Sequence, residues 1–425
     1  MTIILFISSL LATMAIGMPI AYALLACGVV LMWHIGLFDG QILAQNILSS
    51  AGSFPLLAIP LFILAGEVMN NGGLSRRIIN LAIAMFGHLR GGLGYVVIFA
   101  GVILASLSGS ALADAASLTA LLLPMMVMAG YDKSKAGGLI AASSVLGTII
   151  PPSIGFIILG VASGLSITKL FLSGIVPGIL IAIALSATWW LSSRRSTIAL
   201  SPKASTGQRV KALVDSFWAL LLPVIIVVGL RFGVVTPTEA GAVAAIYALL
   251  VATVIYRELK LTDLVNILFQ TAKTTAAVMF LVAAAAVPAW MISLADIPGQ
   301  IIGLIEPLMN HPTLLVAVIM LLMIPISMTM DLTPNVLVLS PIFVPIVKAA
   351  GVDPIYFGVL FMINCSIGLI TPPVGTVLNV VCGVGKLKFE DLVKGAFPMI
   401  IAQFLVLALL VIFPDLVLVP ASWFF

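Results

Sequence analysis

Two stretches of this chain carry the same sequence pattern at a constant offset of 221 positions, the separation of Pro151 from Pro372. Residues 144–152 correspond to residues 365–373, and both segments end in a Pro-Pro pair. The register continues without a gap on both sides, where further glycines, prolines and an aspartate coincide. This is an internal duplication, so the fold must contain two related halves.

The composition places both halves in a membrane. Hydrophobic residues make up 62% of the chain, charged residues only 8%, and the mean hydropathy is +1.29, whereas soluble domains carry about 25% charged residues. Apolar runs of the roughly 20 residues needed to cross a bilayer recur along the whole chain. We therefore predict an all-α polytopic membrane protein with about ten to twelve crossings and additional re-entrant segments.

The basic residues indicate the orientation of the protein. The net charge is +4, and one long polar segment holds five of the cations, namely Arg194, Arg195, Lys203, Arg209 and Lys211. Because short cytoplasmic loops are enriched in Lys and Arg, this segment is predicted to be cytoplasmic. The basic residues lie mainly in loops, so orientation explains the net charge better than an anionic partner such as a nucleic acid does. The segment, residues 192–216, divides a first half, 1–191, from a second half, 217–425.

The duplicated segments interrupt apolar runs. A serine-rich cluster at residues 106–110 cuts the first run and predicts the tip of a re-entrant helical hairpin; residues 327–334 hold the same position in the second half. Gly147 with Pro151-Pro152, and residues 368–375, each predict a broken helix. Paired interruptions of this kind are the best sequence indication of a transporter binding site, because unwound helices free backbone carbonyls for ions.

The direction of the repeat is left open by the pattern itself, since such repeats are either parallel or inverted. Charge placement favours inversion, which requires an odd number of crossings between the two hairpins.

Motifs of enzymes and nucleotide hydrolysis are missing from the sequence. There is no HExxH, and the phosphate-loop-like segment ending at Lys386 has Val380 where a glycine is required. No base stands at a recognisable spacing from Ser108 or Ser110, and the GxSxG elbow is absent. A transport protein is therefore favoured over an enzyme. A channel or assembly subunit without coupled transport remains the alternative, although a channel would show a wide polar stripe along several spans.

Four carboxylates lie in or near the apolar zone: Glu67, Asp114, Glu239 and Asp331. Burying a charge there costs at least about 2.5–3.5 kcal/mol, so such residues face a cavity or a partner. Asp331 is the strongest candidate because it lies at the second hairpin tip. Glu67 and Glu239 adjoin turn signals and are assigned to structural capping or interface roles, and Asp114 is intermediate.

At these same residues the chain resembles the large membrane permease of the tripartite ATP-independent periplasmic (TRAP) transporters. Four signature segments carry the resemblance, at residues 107–110, 149–153, 236–241 and 370–373. The resemblance implies an inverted-repeat, elevator-type secondary transporter of the bacterial inner membrane that is driven by sodium. It also implies a small four-helix membrane subunit and a periplasmic binding protein as partners, and a small organic acid as substrate, with sugar-acid permeases such as those for 2,3-diketo-L-gulonate as the most similar subgroup.

The breaks and the resemblance together give candidate site residues. Sodium prefers hard oxygen ligands, which broken helices supply as carbonyls and hydroxyls. A first sodium site is predicted from Ser106, Ser108, Ser110, Ser144 and Gly147, and a second from Thr329, Asp331, Asn364, Gly368 and Thr371. By resemblance, the substrate would contact Ser108, Ser153 and Asp331, with bound sodium and helix N-termini stabilising its negative charge.

Overall fold

A computed structural model describes residues 2–194 and 202–423, apart from the side chains of Ile3 and Leu261. The described chain is helical. The helices of the first half are α1 (Thr2–Ala15), α2 (Ile20–Ile35), α3 (Gly40–Ala51), α4 (Ala58–Asn71), α5 (Leu74–Phe86), α6 (Gly92–Ser108), α7 (Ala111–Met128), α8 (Lys133–Ser144), α9 (Ile154–Ser163) and α10 (Ile167–Ser193), with short 3-10 turns at Phe54–Leu57 and Val145–Thr148.

The second half repeats this order. Its helices are α11 (Thr206–Arg231), α12 (Pro237–Leu250, continued by a π turn at Val251–Ile255), α13 (Leu261–Leu294), α14 (Ile297–Leu304), α15 (Glu306–Met309), α16 (Pro312–Ser327), α17 (Leu332–Ala349), α18 (Pro354–Gly368), α19 (Thr376–Gly385), α20 (Phe389–Ile412) and α21 (Asp415–Ser422).

The offset of 221 positions relates the helices of the two halves as well as their sequences. Helix α7 corresponds to α17 at both of its ends, and the Pro151-Pro152 and Pro372-Pro373 bonds are both cis. The start of α3 corresponds to the start of α13. In the first half, Gly52 and Pro55 interrupt this helix and separate α3 from α4, whereas α13 runs on without a break. The predicted duplication is confirmed as a structural repeat.

Eight described helices, or helices joined through a short turn, are long and apolar enough to cross a membrane, and two of these are the hairpin arms α7 and α17. The other six are α4 with its preceding turn, α10, α11, α12, α13 and α20. Helices α1 and α2 and the two broken helices are shorter, and the total of ten to twelve crossings stays a prediction. Between the two hairpins lie the first broken helix and the four long helices α10, α11, α12 and α13; counted as crossings, these five elements give the odd number that an inverted repeat requires.

The segment joining the halves is shorter than predicted. Residues 195–201, which include the predicted cation Arg195, lie outside the described part of the chain. Within the expected linker of residues 192–216, helix α11 already begins at Thr206, because Ser205 and Gln208 form a capping box: each side chain bonds the backbone N–H of the other residue. Residues 206–216 are therefore helical and not part of a loop.

Most of the helices fall into two groups, which we call the frame and the core. The frame consists of α1–α4 and α11–α13, in which α2 and α3 pack on α13 and α4 packs on α12. The core contains both hairpins, both broken helices, α10 and α20. Its packing is crossed between the halves, since α9 contacts α17 and α19 contacts α7. The close approach of α8 and α20, where a Cβ on Gly138 or Gly395 would clash with backbone, holds this core together.

Candidate functional site

The first hairpin tip is a tight turn that buries a carboxylate. Helix α6 ends at Ser108, Gly109 takes a left-handed conformation (φ 60°), and Ser110 caps α7. The Ser108 hydroxyl donates to Asp114 Oδ1 at 2.6 Å and accepts from the Ser110 backbone N–H at 3.2 Å. Asp114 is only 2% exposed. Its second oxygen, Oδ2, has no hydrogen-bond partner among the described residues.

The first broken helix closes over this carboxylate. After α8 the chain passes through the turn Val145–Thr148 and the cis proline pair before Ser153 caps α9. A Cβ added at Gly147 would lie 2.6 Å from Asp114 Oδ2, so only a glycine lets the break approach that oxygen this closely. The Ile154 N–H donates to Gly109 O at 3.4 Å, which ties the break to the tip.

The structure therefore brings together Ser108, Ser110 and Gly147 from the predicted first sodium site. The other two members have their hydroxyls bonded to their own helices: Ser106 Oγ donates to Ile103 O and Ser144 Oγ to Ile140 O. A hydroxyl bonded in this way keeps a free lone pair. The assignment of all five residues to a sodium site stays a prediction.

The second tip and break form two smaller groups. In one, the Ser327 hydroxyl donates to Asn364 Oδ1 at 3.4 Å, and Ser327 O lies so close to Gly368 that no Cβ would fit. In the other, Thr376 Oγ1 at the start of α19 donates to Asp331 Oδ1 at 3.1 Å. Asn364 and Gly368 thus meet as predicted, while Asp331 has a partner that the sequence analysis did not name.

The remaining members of the predicted second site are bonded locally. Thr329 Oγ1 donates to Ile326 O, and Thr371 Oγ1 donates to Ile367 O. Thr329 is exposed, whereas Thr371 is buried. Their role in binding sodium also stays a prediction.

Repeat-related positions share buried oxygens that lack partners. Asp114 and Asn335 are separated by the repeat offset, and each has one side-chain oxygen, Oδ2 and Oδ1 respectively, without a hydrogen bond in the described structure. The same holds for the hydroxyls of Thr119 and Ser340, which are also separated by 221 positions. Buried polar atoms are nearly always hydrogen bonded, so each unbonded one requires a physical reason. Both halves thus present unpaired oxygen behind the hairpin tip.

The two breaks also touch each other. The hydroxyls of Thr148 in the first break and Ser366 in the second are hydrogen bonded. A Cβ on Gly155 would contact Met362 and Leu332, so the start of α9 lies against both the second broken helix and the start of α17. The two tips and the two breaks therefore form one cluster at the centre of the core.

One cavity reaches this cluster from the frame. It encloses about 280 Å³ and is lined by the first tip, the start of α9, and residues of α4 and α13, including Ser108, Ser110, Glu67, Asn70 and Thr274. We call it the hairpin cavity. Of the three predicted substrate contacts, Ser108 lines this cavity, Ser153 is fully buried with its hydroxyl donated to Thr148 O at 2.7 Å, and half-buried Asp331 lies at the other tip. Their contact with a substrate stays a prediction.

Sequence reasoning undervalued several of these residues. It treated Asp114 as intermediate, although this carboxylate is the more deeply buried of the two at the tips. Asn335, Ser327 and Thr376 were not assigned to a site. The repeat offset pairs Asp114 with Asn335 and Ser106 with Ser327, so a stricter use of the duplication would have found Asn335 and Ser327. Thr376 carries no such signal.

Comparison with known proteins agrees with this architecture. The family model described as "Tripartite ATP-independent periplasmic transporter, DctM component" matches residues 7–416. The 2,3-diketo-L-gulonate TRAP transporter large permease protein YiaN of Escherichia coli is 53% identical over 423 residues, covering 100% of both chains. The sialic acid TRAP transporter large permease protein SiaM of Vibrio cholerae is 38% identical over 409 residues, covering 96% of each chain.

A solved structure shows the same fold. The YdaH transporter of Alcanivorax borkumensis, whose crystal structure is described as having an unusual topology, superposes with a TM-score of 0.65 at 17% identity, covering 88% of this chain and 89% of that one. With the eight candidate spans, these matches confirm a multi-pass inner-membrane transport protein and not an enzyme. The chain belongs to the DctM component family of the tripartite ATP-independent periplasmic transporters.

Proposed function

We propose that this permease carries out sodium-coupled secondary uptake of a small organic acid. A periplasmic binding protein delivers the acid, and a small four-helix membrane subunit completes the transporter. The core moves against the frame in an elevator-type alternating-access cycle, and sodium binding at the two tips drives it. Family membership supports the partners, and the geometry of the tips supports the coupling.

The observation that carries the coupling is the unpaired Oδ2 of Asp114. In its ionised form, a carboxylate that is 2% exposed and has a single side-chain donor, Ser108, carries an uncompensated charge. An unpaired ion in a protein interior costs several kcal/mol. A sodium ion beside Oδ2 would remove this penalty, and the glycine at position 147 keeps side-chain carbon away from that oxygen.

The residues at both tips fit a hard monovalent cation. The donors are carboxylate, hydroxyl, amide and backbone oxygens, and the described residues contain no group of three or more His, Cys, Asp or Glu side chains. At the first tip, the side chains of Asp114 and Ser108 and the backbone at Ser110 and at Gly147 would hold the ion. At the second, Asp331 or the unpaired Asn335 Oδ1 would supply an oxygen. Bound sodium would supply positive charge next to an anionic substrate.

A sugar acid is the proposed substrate class. The support is the 53% identity to a permease named for 2,3-diketo-L-gulonate over its full length. The hairpin cavity, at about 280 Å³, is close to the lower end of the size range of small-molecule sites. Its lining is apolar at Ile63, Leu112 and Ile154 and carries the Glu67 carboxylate, while the hydroxyls of Ser108, Ser110 and Thr274 and the amide of Asn70 can hydrogen bond a hydroxylated molecule.

Uptake in liposomes tests the proposal. The permease, its small membrane subunit and its binding protein are reconstituted, and accumulation of a labelled sugar acid is followed with an inward sodium gradient. We expect accumulation above the external concentration only when both sodium and the binding protein are present. Undiminished accumulation without sodium contradicts the coupling, and full uptake without the binding protein contradicts the tripartite arrangement. Uptake that stops at equilibration under a sodium gradient would instead support the channel alternative.

A further inference from the structure

A second cavity lies between frame and core, away from both hairpin tips. It encloses about 340 Å³ and is bounded by α3 and α13 of the frame and by α9 and α17 of the core. We call it the α3 cavity. Its residues on α3 and in the turn that follows are Asn46, Ser49, Ser50 and Ser53, and its other walls are apolar: Val161, Ala162, Val282, Ala285, Ala286, Ala289 and Leu337.

The polar wall is a single row. Residues 46, 49, 50 and 53 follow the i, i+3, i+4, i+7 spacing that places side chains on one helix face, with the last member just beyond the end of α3. The polar groups leave binding capacity unused. Asn46 Nδ2 donates to Ile42 O, and Ser49 Oγ donates to the backbone oxygen of Asn46, both within α3. The side-chain oxygen Oδ1 of Asn46, its second amide hydrogen and the lone pairs of Ser49 Oγ therefore remain available.

The opposite wall consists mainly of small side chains. Four of the seven apolar lining residues are alanine, three of them on one face of α13. Larger side chains at these positions would fill the space between frame and core. The alanines of α13 therefore leave room in front of the α3 hydroxyls.

Two core helices connect this cavity to the tip cluster. Helix α9 begins at Ile154, which lines the hairpin cavity, and reaches the α3 cavity at Val161, about 10 Å further along the axis. Helix α17 begins beside Asp331 and reaches the same cavity at Leu337, about 9 Å along. The α3 cavity thus lies roughly two helical turns from the predicted substrate contacts.

The duplication relates the two cavities. Ser53 of the α3 cavity and Thr274 of the hairpin cavity are separated by the repeat offset of 221 positions. Each half of the frame therefore presents a hydroxyl, at the same repeat position, to a space that borders the core. In an inverted repeat such equivalent positions face opposite sides of the membrane.

From this arrangement we infer that the α3 cavity is a second substrate subsite, in which the frame hydrogen bonds the hydroxyl or keto groups of the acid. Its described lining contains no charged side chain, so it recognises the uncharged part of the substrate and not the carboxylate. The inference rests on the proposed function, since it assigns a further contact to the acid that the permease transports.

Kinetics of the reconstituted complex test the subsite. The double variant Asn46→Ala, Ser49→Ala removes two groups from the polar wall, and Gln45→Ala removes an exposed polar side chain of the same helix that does not line the cavity. Two hydrogen bonds of about 1 kcal/mol each correspond to a rise in KM of about 30-fold. We expect this rise for the double variant, a smaller change in kcat, and wild-type values for Gln45→Ala.

Chemical labelling gives a second readout that does not depend on turnover. Ser49→Cys should react with a water-soluble thiol reagent more slowly when the sugar acid and its loaded binding protein are present, whereas Gln45→Cys should react at the same rate with and without them. Unchanged KM and unprotected Ser49→Cys in a complex whose wild type transports the acid overturn the subsite alone. A wild type that takes up no acid overturns the proposed function and the subsite with it.

Discussion

The substitution Asp114→Asn tests the sodium site where the structure is most specific. Asparagine keeps an oxygen that can accept the 2.6 Å hydrogen bond from Ser108 but removes the negative charge that faces Gly147. In the wild type, sodium at about ten times its Kd should stabilise the folded protein by about 1.4 kcal/mol. The variant should lose this increment, because the unpaired charge that attracts the ion is gone.

The same variant makes a second, opposite prediction without sodium. The wild-type carboxylate is then unpaired in the membrane interior, at a cost of up to about 2.5–3.5 kcal/mol, so Asp114→Asn should be at least as stable as the wild type in sodium-free buffer. The assay is thermal unfolding of the purified complex in sodium and in choline at equal ionic strength. Asp132→Asn is the matched control, since Asp132 caps α8 away from the site and asparagine caps helices about as well. A full sodium-dependent shift in Asp114→Asn would refute the reasoning.

Three further predictions use the same transport assay or a labelling assay. Asp331→Asn removes the negative charge of the group that accepts the hydrogen bond from Thr376. We expect this variant to accumulate normally in the membrane but to lose sodium-dependent uptake. Uptake at the wild-type rate with unchanged sodium dependence would show that the carboxylate is not needed. Gly147→Ala places a Cβ 2.6 Å from Asp114 Oδ2 and should raise the sodium concentration for half-maximal uptake at least tenfold, an effect that an unchanged sodium curve would exclude. Lys203→Cys should be inaccessible to an impermeant thiol reagent in intact cells, and ready labelling from outside would reverse the assigned topology.

Much of the architecture could be predicted from the duplication. The Pro-Pro pairs and the polar clusters at residues 106–110 and 327–334 mark the breaks and the tips, because proline and serine-rich turns act on the local backbone. Matching positions at a constant offset then extended each assignment from one half to the other. The ends of α17 at Leu332 and Ala349 follow from those of α7 in this way.

What could not be predicted depends on contacts between distant parts of the chain. The burial of Asp114 arises because the first break packs over the hairpin tip, and the Thr148–Ser366 hydrogen bond joins segments from different halves. Neither contact has a local signature. The early start of α11 does have a local sequence signature, the capping pair Ser205 and Gln208. The basic residues around this pair are typical of a cytoplasmic loop and favoured that assignment instead.

The division of the halves shows how similar sequences can differ locally. Gly52 and Pro55 break the first-half helix into α3 and α4, while the second half has no glycine or proline at the equivalent positions and keeps α13 continuous. This break places Ser53 at a turn, where it lines the α3 cavity, whereas its equivalent Thr274 lies within a helix and lines the hairpin cavity. The two halves therefore share a fold but present different surfaces to the core.

Substrate-stimulated sodium influx tests the central claim most directly. Proteoliposomes containing the permease, its small subunit and its loaded binding protein are given radioactive sodium outside, and the initial rate of sodium entry is measured with and without the sugar acid. Coupled transport predicts that sodium entry rises with the acid and that the Asp114→Asn and Asp331→Asn variants lose this rise. Entry of the acid at its full rate with no accompanying sodium would contradict the account.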